Sequence, residues 1–253
     1  MSVAAAIIAL NEEANLARLL PRLEGADEIV VVDSGSADAT VALARRHGCR
    51  VAVRPFDNFA QQRNHAIDLA RSDWILSIDA DERPGPRLVS EIRAAVARAD
   101  AAAFRVPIRS RIFRRALRRC GTQDDRPIRL FRRGAARWNG QVHEVLQVAG
   151  RVGRLRAWLD HDTLPDLRAF LVKMDRYTTL EAHARVRAGR GPRVLDRWLA
   201  PPREIFRRLV WKRGALDGPA GWAFCLLSGV SEWVLAEKHH RLWTAAGAGS
   251  EGL

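Results

Sequence analysis

The chain has 253 residues and three cysteines, and its 42 lysines and arginines outnumber 29 aspartates and glutamates for a net charge of +13. That length suits one large α/β domain with an appendage, and Cys49, Cys120 and Cys225, odd in number and far apart, argue against a disulfide framework or a zinc site. Residues 1–100 carry 12 basic against 15 acidic residues, a net of −3, so residues 101–253 carry 30 against 14, a net of +16, and the second part is expected to face something anionic.

Met1-Ser2-Val3 runs straight into an apolar strand over 3–10 with no basic leader, so the chain is expected to start in the cytosol. A helix near 13–22, a strand over 28–33 and a helix near 37–47 follow, the last begun by Ser36 or Asp38 as N-cap. Next come a strand over 49–54, a helix near 58–71 with Phe59, Ala66 and Leu69 on one face, and a strand over 73–79. This alternation predicts a doubly wound, largely parallel sheet. A helix near 86–99 precedes a less regular region, 101 to about 160, with several short strand-like runs.

From Asp166 the pattern turns helical. Residues 165–187 place Leu167, Phe170, Leu171, Met174 and Leu180 at helical spacing, and 202–213 is a basic amphipathic stretch. The segment 219–235 is apolar apart from Glu232, slightly short of the roughly 20 residues that a bilayer span needs. With Trp211, Trp222, Trp233 and Trp243 nearby, it reads as an interfacial helix or hairpin in the membrane surface, or else as a buried helix of the same domain. The expected organisation is a catalytic domain over 1–160 and a helical, membrane-associating extension over 161–253.

Two dense basic runs stand out: Arg109, Arg111, Arg114, Arg115, Arg118 and Arg119, and then Arg203, Arg207, Arg208, Lys212 and Arg213. Such runs are usually solvated faces, but beside an apolar segment they suit anionic lipid or a phosphorylated substrate. A non-catalytic nucleic-acid-binding module is the competing class. It would interleave aromatic residues with the charge, whereas Tyr177 is the one tyrosine and the tryptophans gather near the apolar segment, so no nucleic-acid partner is expected.

The strand over 73–79 ends in Asp79, Asp81 and Glu82, three carboxylates within four residues. Like charges held beside a buried strand need a positive neighbour. A divalent cation carrying a diphosphate would serve, and Mg²⁺ or Mn²⁺ suits one or two carboxylates with water and phosphate oxygens at the remaining positions; a solvated loop is the alternative. Asn11-Glu12-Glu13 and Asp33-Ser34-Gly35-Ser36 also follow strands. In a parallel sheet all three segments share one edge, where ligands of such sheets bind. Asp33 can accept hydrogen bonds from a base or ribose, and the small turn after it allows close approach.

The ordered set 9–16, 31–40, 59–64 and 76–82 resembles the family 2 inverting glycosyltransferases of GT-A fold, a Rossmann-like, mostly parallel α/β sheet flanked by helices. Arg129-Leu130-Phe131-Arg132-Arg133-Gly134, Val142-His143-Glu144 and Asp175-Arg176-Tyr177-Thr178-Thr179-Leu180 are similar to its lipopolysaccharide-core β-1,4-glucosyltransferase-like branch. The resemblance implies a UDP-sugar donor, a hexose such as glucose, and an anionic glycolipid acceptor at the inner face of the cytoplasmic membrane; polyprenyl phosphate is the alternative acceptor. It further implies that Asp33 contacts the base, Asn11, Glu12 and Ser34 line the nucleotide pocket, and Arg63 helps to hold the nucleotide. Asp79 would lie near the ribose and diphosphate and Asp81 would bind the metal, with Glu82 behind them. Glu144 would be the base that deprotonates the acceptor hydroxyl, with His143 beside it as metal ligand, acceptor contact or orienting group and Asp125 as the rival base. At Gly121-Thr122-Gln123-Asp124-Asp125-Arg126 the chain lacks aromatic residues that relatives carry, which implies a changed sugar contact.

Overall fold

The computed structural model describes residues 1–122, 126–140, 144–164, 166–193 and 195–248. In chain order the elements are β1 (Val3–Ala9), α1 (Glu13–Leu19), β2 (Glu28–Asp33), α2 (Thr40–Arg46), β3 (Arg50–Val53), α3 (Phe59–Leu69), β4 (Trp74–Ser77), β5 (Glu82–Pro84) and α4 (Pro86–Arg98). There follow β6 (Ala103–Arg105), β7 (Ile108–Ile112), β8 (Arg115–Ala116), β9 (Ile128–Arg132), β10 (Ala136–Asn139), β11 (Val145–Val148), β12 (Val152–Arg154) and β13 (Leu159–Leu164). Three helices close the chain: α5 (Leu167–Arg187), α6 (Asp196–Phe206) and α7 (Gly218–Ala248). They fall into two compact units, Met1–Arg109 with Asp124–His161, and Ser110–Gln123 with Asp162–Leu253. A single linear cut at 160 therefore misses residues 110–123, which belong with the C-terminal helices.

The first unit is built on a seven-stranded sheet in the order β12-β6-β9-β4-β1-β2-β3. β1 pairs in parallel with β2 and β4, and β2 with β3. β12 also pairs in parallel with β6; β9 alone runs antiparallel, to both β4 and β6, so the sheet is largely parallel as the sequence predicts, with one inserted antiparallel strand. Period-two alternation in β1 sends Val3, Ala5, Ile7 and Ala9 to one face, with Leu16 and Leu19 of α1 and Leu88 and Ile92 of α4. Ala4 and Ala6 go to the other, with Ala60, Ala66 and Ile67 of α3 and Trp138 of β10. Burial on both faces is why these strands read as continuous apolar runs.

α3 starts where expected because the Asn58 side chain accepts from Gln61 N at 2.9 Å. Phe59, however, is exposed and stacks edge-on with Phe56 instead of joining the core face. α2 has Ala39 at its cap position with no side-chain cap. Ser36 is turned toward Asp33 and Asn11, and Asp38 instead takes the Thr40 N–H at 3.0 Å.

In the second unit, Ile112, Leu117, Cys120, Leu164, Phe170, Ala220 and Cys225 form the core. The β7–β8 hairpin supplies Ile112, and Leu117 and Cys120 come from the segment just after it. Of the five apolar α5 positions, Phe170 is buried and Met174 packs against the core, while Leu167, Leu171 and Leu180 are exposed, so the buried stripe is narrower than the apolar periodicity. α7 is one continuous helix of 31 residues, not a hairpin. It buries Ala220, Cys225, Ser228, Leu235 and His239 and exposes Trp222, Leu226, Val230 and Trp233. No helix among the described residues is long and apolar enough to cross a membrane.

Cys120 and Cys225 lie side by side, Sγ to Sγ 3.8 Å, as buried free thiols. Gly214 packs against both: a Cβ there would meet each sulfur at 2.7 Å and Arg208 O at 2.8 Å. Gly214→Ala is therefore expected to destabilise the fold by about 1–3 kcal/mol through overpacking, read as a lowered urea midpoint; an unchanged midpoint would show that the contact is soft. Asn58→Ala should cost ~1 kcal/mol through the lost cap, and hydrogen exchange at the amides of Ala60 and Gln61 should quicken.

Candidate functional site

The ends of β1, β2 and β4 carry the first segments of the site, all at the carboxyl edge of the parallel strands. Asn11 sits in the left-handed region at φ 56, a conformation that Asn tolerates better than most residues. There its Oδ1 accepts from Ala37 N at 2.8 Å while its own N–H donates to Ser36 Oγ at 2.7 Å. Asp33 is fully buried, and its Oδ1 accepts from Gly35 N at 2.9 Å and Ser36 N at 2.8 Å. Ser34 Oγ accepts from Gln62 Nε2 at 3.2 Å, and Glu12 receives Asn15 Nδ2 at 2.6 Å. Burial raises the Glu12 pKa, opposed by the Asn15 bond and reinforced by the charge of Asp81. These contacts tie the loops after β1 and β2 into one rigid wall.

Two of the three carboxylates, Asp79 and Glu82, are paired with this chain's own arginines. Arg63, from α3, reaches Asp79 Oδ1 at 2.7 Å. The register of β9 against β4, with Leu130 opposite Leu76, carries Arg129 to the strand end, where it meets Asp79 Oδ2 at 2.9 Å and pairs with the fully buried Glu82. Glu82 also accepts from Asp79 N at 2.9 Å. Burial alone would raise Asp79, but Arg129 and Arg63 hold it well below the usual carboxylate range. For Glu82, burial prevails over Arg129 and pushes its pKa up to about 7. Both oxygens of Asp79 are thus committed to arginines, which leaves Asp81 as the carboxylate of the trio with an outward role.

Asp81 Oδ2 lies 3.0 Å from His161 Nε2. β13 pairs with β5 so that His161 stands opposite Glu82, and this pairing brings the imidazole to Asp81 across 80 residues of sequence. Burial opposes a charge on His161, but the Asp81 bond and the surrounding carboxylates raise its pKa. Among the described residues no cluster of three or more metal-ligating side chains occurs. Asp81 and His161 are nevertheless the side chains that would supply an oxygen and a nitrogen donor to a divalent ion at this strand end. The sequence reading did not find His161; its signal was an Asp160-His161-Asp162 run between the buried ends Leu159 and Leu164 of a strand.

Glu144 lies close to this cluster, Oε1 3.8 Å from Arg63 Nε. The guanidinium of Arg63 also stacks over Trp138, 5.0 Å from its ring centroid, and Asn64 clamps the Trp138 backbone through bonds of 2.8 and 3.0 Å. Arg63 Nε and Arg129 Nε are buried without hydrogen-bond partners, two charged donors at the edge where an anion is expected. The structure thus gathers Arg63, Asp79, Asp81 and Glu144 at one centre and sets Asn11, Glu12, Asp33 and Ser34 in the adjoining loops. His143 and Asp125 lie outside the described residues.

Comparison with known proteins gives this geometry a lineage. The Glycosyl transferase family 2 profile matches residues 5–157. The lipopolysaccharide core biosynthesis glycosyltransferase LpsC of Rhizobium meliloti is 32% identical over 227 residues, covering 85% of this chain and 84% of the relative. An uncharacterised glycosyltransferase of Rickettsia felis is 43% identical over 91 residues, covering 36% of this chain and 32% of its own length. Among solved structures, residues 1–349 of S. aureus TarS superpose with a TM-score of 0.50 at 11% identity, over 98% of this chain and 92% of that one, a likeness of fold alone. The chain belongs to glycosyl transferase family 2 and is a glycosyltransferase with the mixed α/β, Rossmann-like GT-A fold.

Proposed function

We propose that this glycosyltransferase moves a hexose, glucose first among the candidates, from a UDP-sugar to a lipopolysaccharide core or similar anionic envelope glycolipid, with inversion, at the inner face of the cytoplasmic membrane. The observation that carries this reading is the convergence of Asp81–His161, the Arg63–Asp79–Arg129 clamp and Glu144 at the carboxyl edge of β1, β2 and β4. The acceptor class is supported by the likeness to LpsC along most of both chains. The donor nucleotide rests on the resemblance of the strand-end motifs.

Asp33 is assigned to the base through the Ser34–Ser36 turn that it holds in place. Asn11 and Glu12 wall the nucleotide pocket, and the guanidinium groups of Arg63 and Arg129, held on Asp79, are assigned to the diphosphate side of the site. Asp81 and His161 would hold Mn²⁺ or Mg²⁺, which when bound acts as a Lewis acid on the leaving diphosphate. Glu144 takes the proton of the acceptor hydroxyl as that oxygen attacks the anomeric carbon and the nucleoside diphosphate departs, with Arg63 Nε 3.8 Å from its carboxylate.

Three measurements test these roles. Glu144→Gln is expected to lower turnover by about 10²–10⁴-fold with UDP binding within about twofold of wild type; near-normal turnover would remove Glu144 from the reaction. In calorimetry, Asp81→Asn and His161→Ala should each lose at least ~10-fold of Mn²⁺-dependent UDP affinity while leaving UDP binding in EDTA unchanged. Metal dependence that survives both changes would place the ion elsewhere. Purified protein given UDP-glucose or UDP-galactose should glycosylate lipopolysaccharide core, and transfer to polyprenyl phosphate alone would replace the acceptor.

A further inference from the structure

α6 and the single π-helical turn that continues it, Arg207–Trp211, present an apolar face to solvent. Leu195, Trp198, Leu199, Phe206, Val210 and Trp211 are each between 54% and 78% exposed. Leu195, Trp198, Leu199, Pro202 and Phe206 occupy positions i, i+3, i+4, i+7 and i+11, so over α6 they form one stripe. The opposite side of the same helix does the packing. Ala200 is buried, Ile205 presses against Gly229 of α7, where a Cβ would meet Ile205 Cγ1 at 2.5 Å, and Leu209 joins the core of the unit. The stripe is therefore not required by the fold, and a contiguous apolar surface of this kind on a soluble protein marks an interaction site.

The charge around it narrows the partner. Residues 193–213 contain seven arginines and lysines against two acids, Asp196 and Glu204, and Glu204 is spent on Arg207 and Arg208 within the helix. Arg193, Arg203 and Arg213 are exposed along the same stretch. Two copies of this chain meeting through the stripe would bring their arginine rims together and repel. An anionic lipid surface accepts both the apolar stripe and the positive rim, and the tryptophans at positions 198 and 211 are the residue type enriched at such interfaces. Pro201 and Pro202 supply no N–H to the carbonyls of Arg197 and Trp198. Bare carbonyls are costly in hydrocarbon, so this helix belongs at headgroup depth.

We propose that α6 with residues 207–211 is an in-plane membrane-docking helix that binds anionic phospholipid headgroups through its arginines and inserts Trp198, Leu199, Phe206 and Trp211 at the interface. This places lipid contact on 195–213 and not on the more apolar 219–235 segment, whose exposed Trp222, Leu226, Val230 and Trp233 have no basic residue among them. Docking of this kind serves the glycolipid reading above, on which its purpose rests, but vesicle binding needs no sugar transfer, so either can fail alone.

The test is co-sedimentation of the full chain with vesicles of phosphatidylethanolamine containing about a quarter phosphatidylglycerol, an anionic surface that attracts basic side chains. Wild type should bind, with a blue shift in tryptophan emission, and should bind phosphatidylcholine vesicles at least ~10-fold more weakly. The double variant Trp198→Glu, Phe206→Glu and the single variant Trp211→Glu should each lose ~10-fold or more of binding while keeping the wild-type melting temperature and UDP affinity. Because Trp211 is 78% exposed, its replacement probes the surface without disturbing packing. Arg203→Gln with Arg213→Gln should weaken binding ~10-fold and reduce its salt sensitivity. Wild-type protein that stays in the supernatant, or glutamate variants that bind as wild type does, would overturn the proposal. A concentration-dependent dimer that these variants abolish, without vesicle binding, would assign the stripe to a second copy of the chain instead.

Discussion

The ionic cluster of Asp79, Glu82, Arg63 and Arg129 is the constraint on which the site depends. Each of these charges costs several kcal/mol to bury alone, and the cost is recovered only when partners and hydrogen bonds are well placed. Arg129 is placed by one topological feature, the antiparallel insertion of β9 between β4 and β6. Without that strand the end of β4 would hold the buried Glu82 and the half-buried Asp79 with Arg63 alone to balance them. With it, Asp79 stays ionised, Glu82 is held with a pKa of about 7, and the turn between them is fixed. Asp81, two residues on from Asp79, then has a defined direction toward His161.

The same arrangement explains which parts of the site were legible in the sequence. Asn11, Glu12, Asp33, Ser34, Asp79 and Asp81 follow apolar strands directly, and a parallel sheet places such positions on one edge whatever the side chains do. Arg63 was legible through its motif on α3. Arg129 appeared in the sequence only as part of a family motif, with no role attached, and His161 was not recognised. Both reach the site through strand pairings that span about 50 and 80 residues, Arg129 to Asp79 and His161 to Asp81, and period-two patterning says which face a residue occupies but not which strand lies beside it. The neutralising charge for the carboxylates was sought in a cation for the same reason: the arginines that do part of that work lie far away in sequence.

Helical patterning misled in a different way. Phe59, Leu167, Leu171 and Leu180 are apolar residues at helical spacing, and all are exposed, because the buried sides of their helices run through other positions: Ala60, Gln62, Ala66 and Ile67 in α3, and Phe170, Thr178 and Ala182 in α5. An apolar periodicity identifies a helix but does not by itself identify the side that meets the core. The division of the chain has a similar origin. Residues 110–123 read as part of the irregular region after α4, but Leu117 and Cys120 are buried against Cys225 and Phe170, and Asp217 accepts the backbone N–H of Arg119 at 2.8 Å. Contacts made about 100 residues apart decide the unit to which this segment belongs.

The charge asymmetry of the chain can then be separated into parts with different physical consequences. Some of the excess is internal: Arg109 pairs with Asp160 and Arg111 with Asp162, so a run that reads as a free basic patch is partly neutralised where it lies. The positive rim of α6 is different, because Arg193, Arg203 and Arg213 are exposed beside exposed tryptophan and phenylalanine. Charge alone would give long-range, salt-sensitive attraction with no fixed depth or orientation. An apolar stripe alone would bind neutral and anionic surfaces alike and would favour self-association. On the docking proposed above, the two together would make binding depend on an anionic surface and define the face that meets it, which is what an enzyme needs if its acceptor is fixed in a membrane while its nucleotide donor arrives from solution.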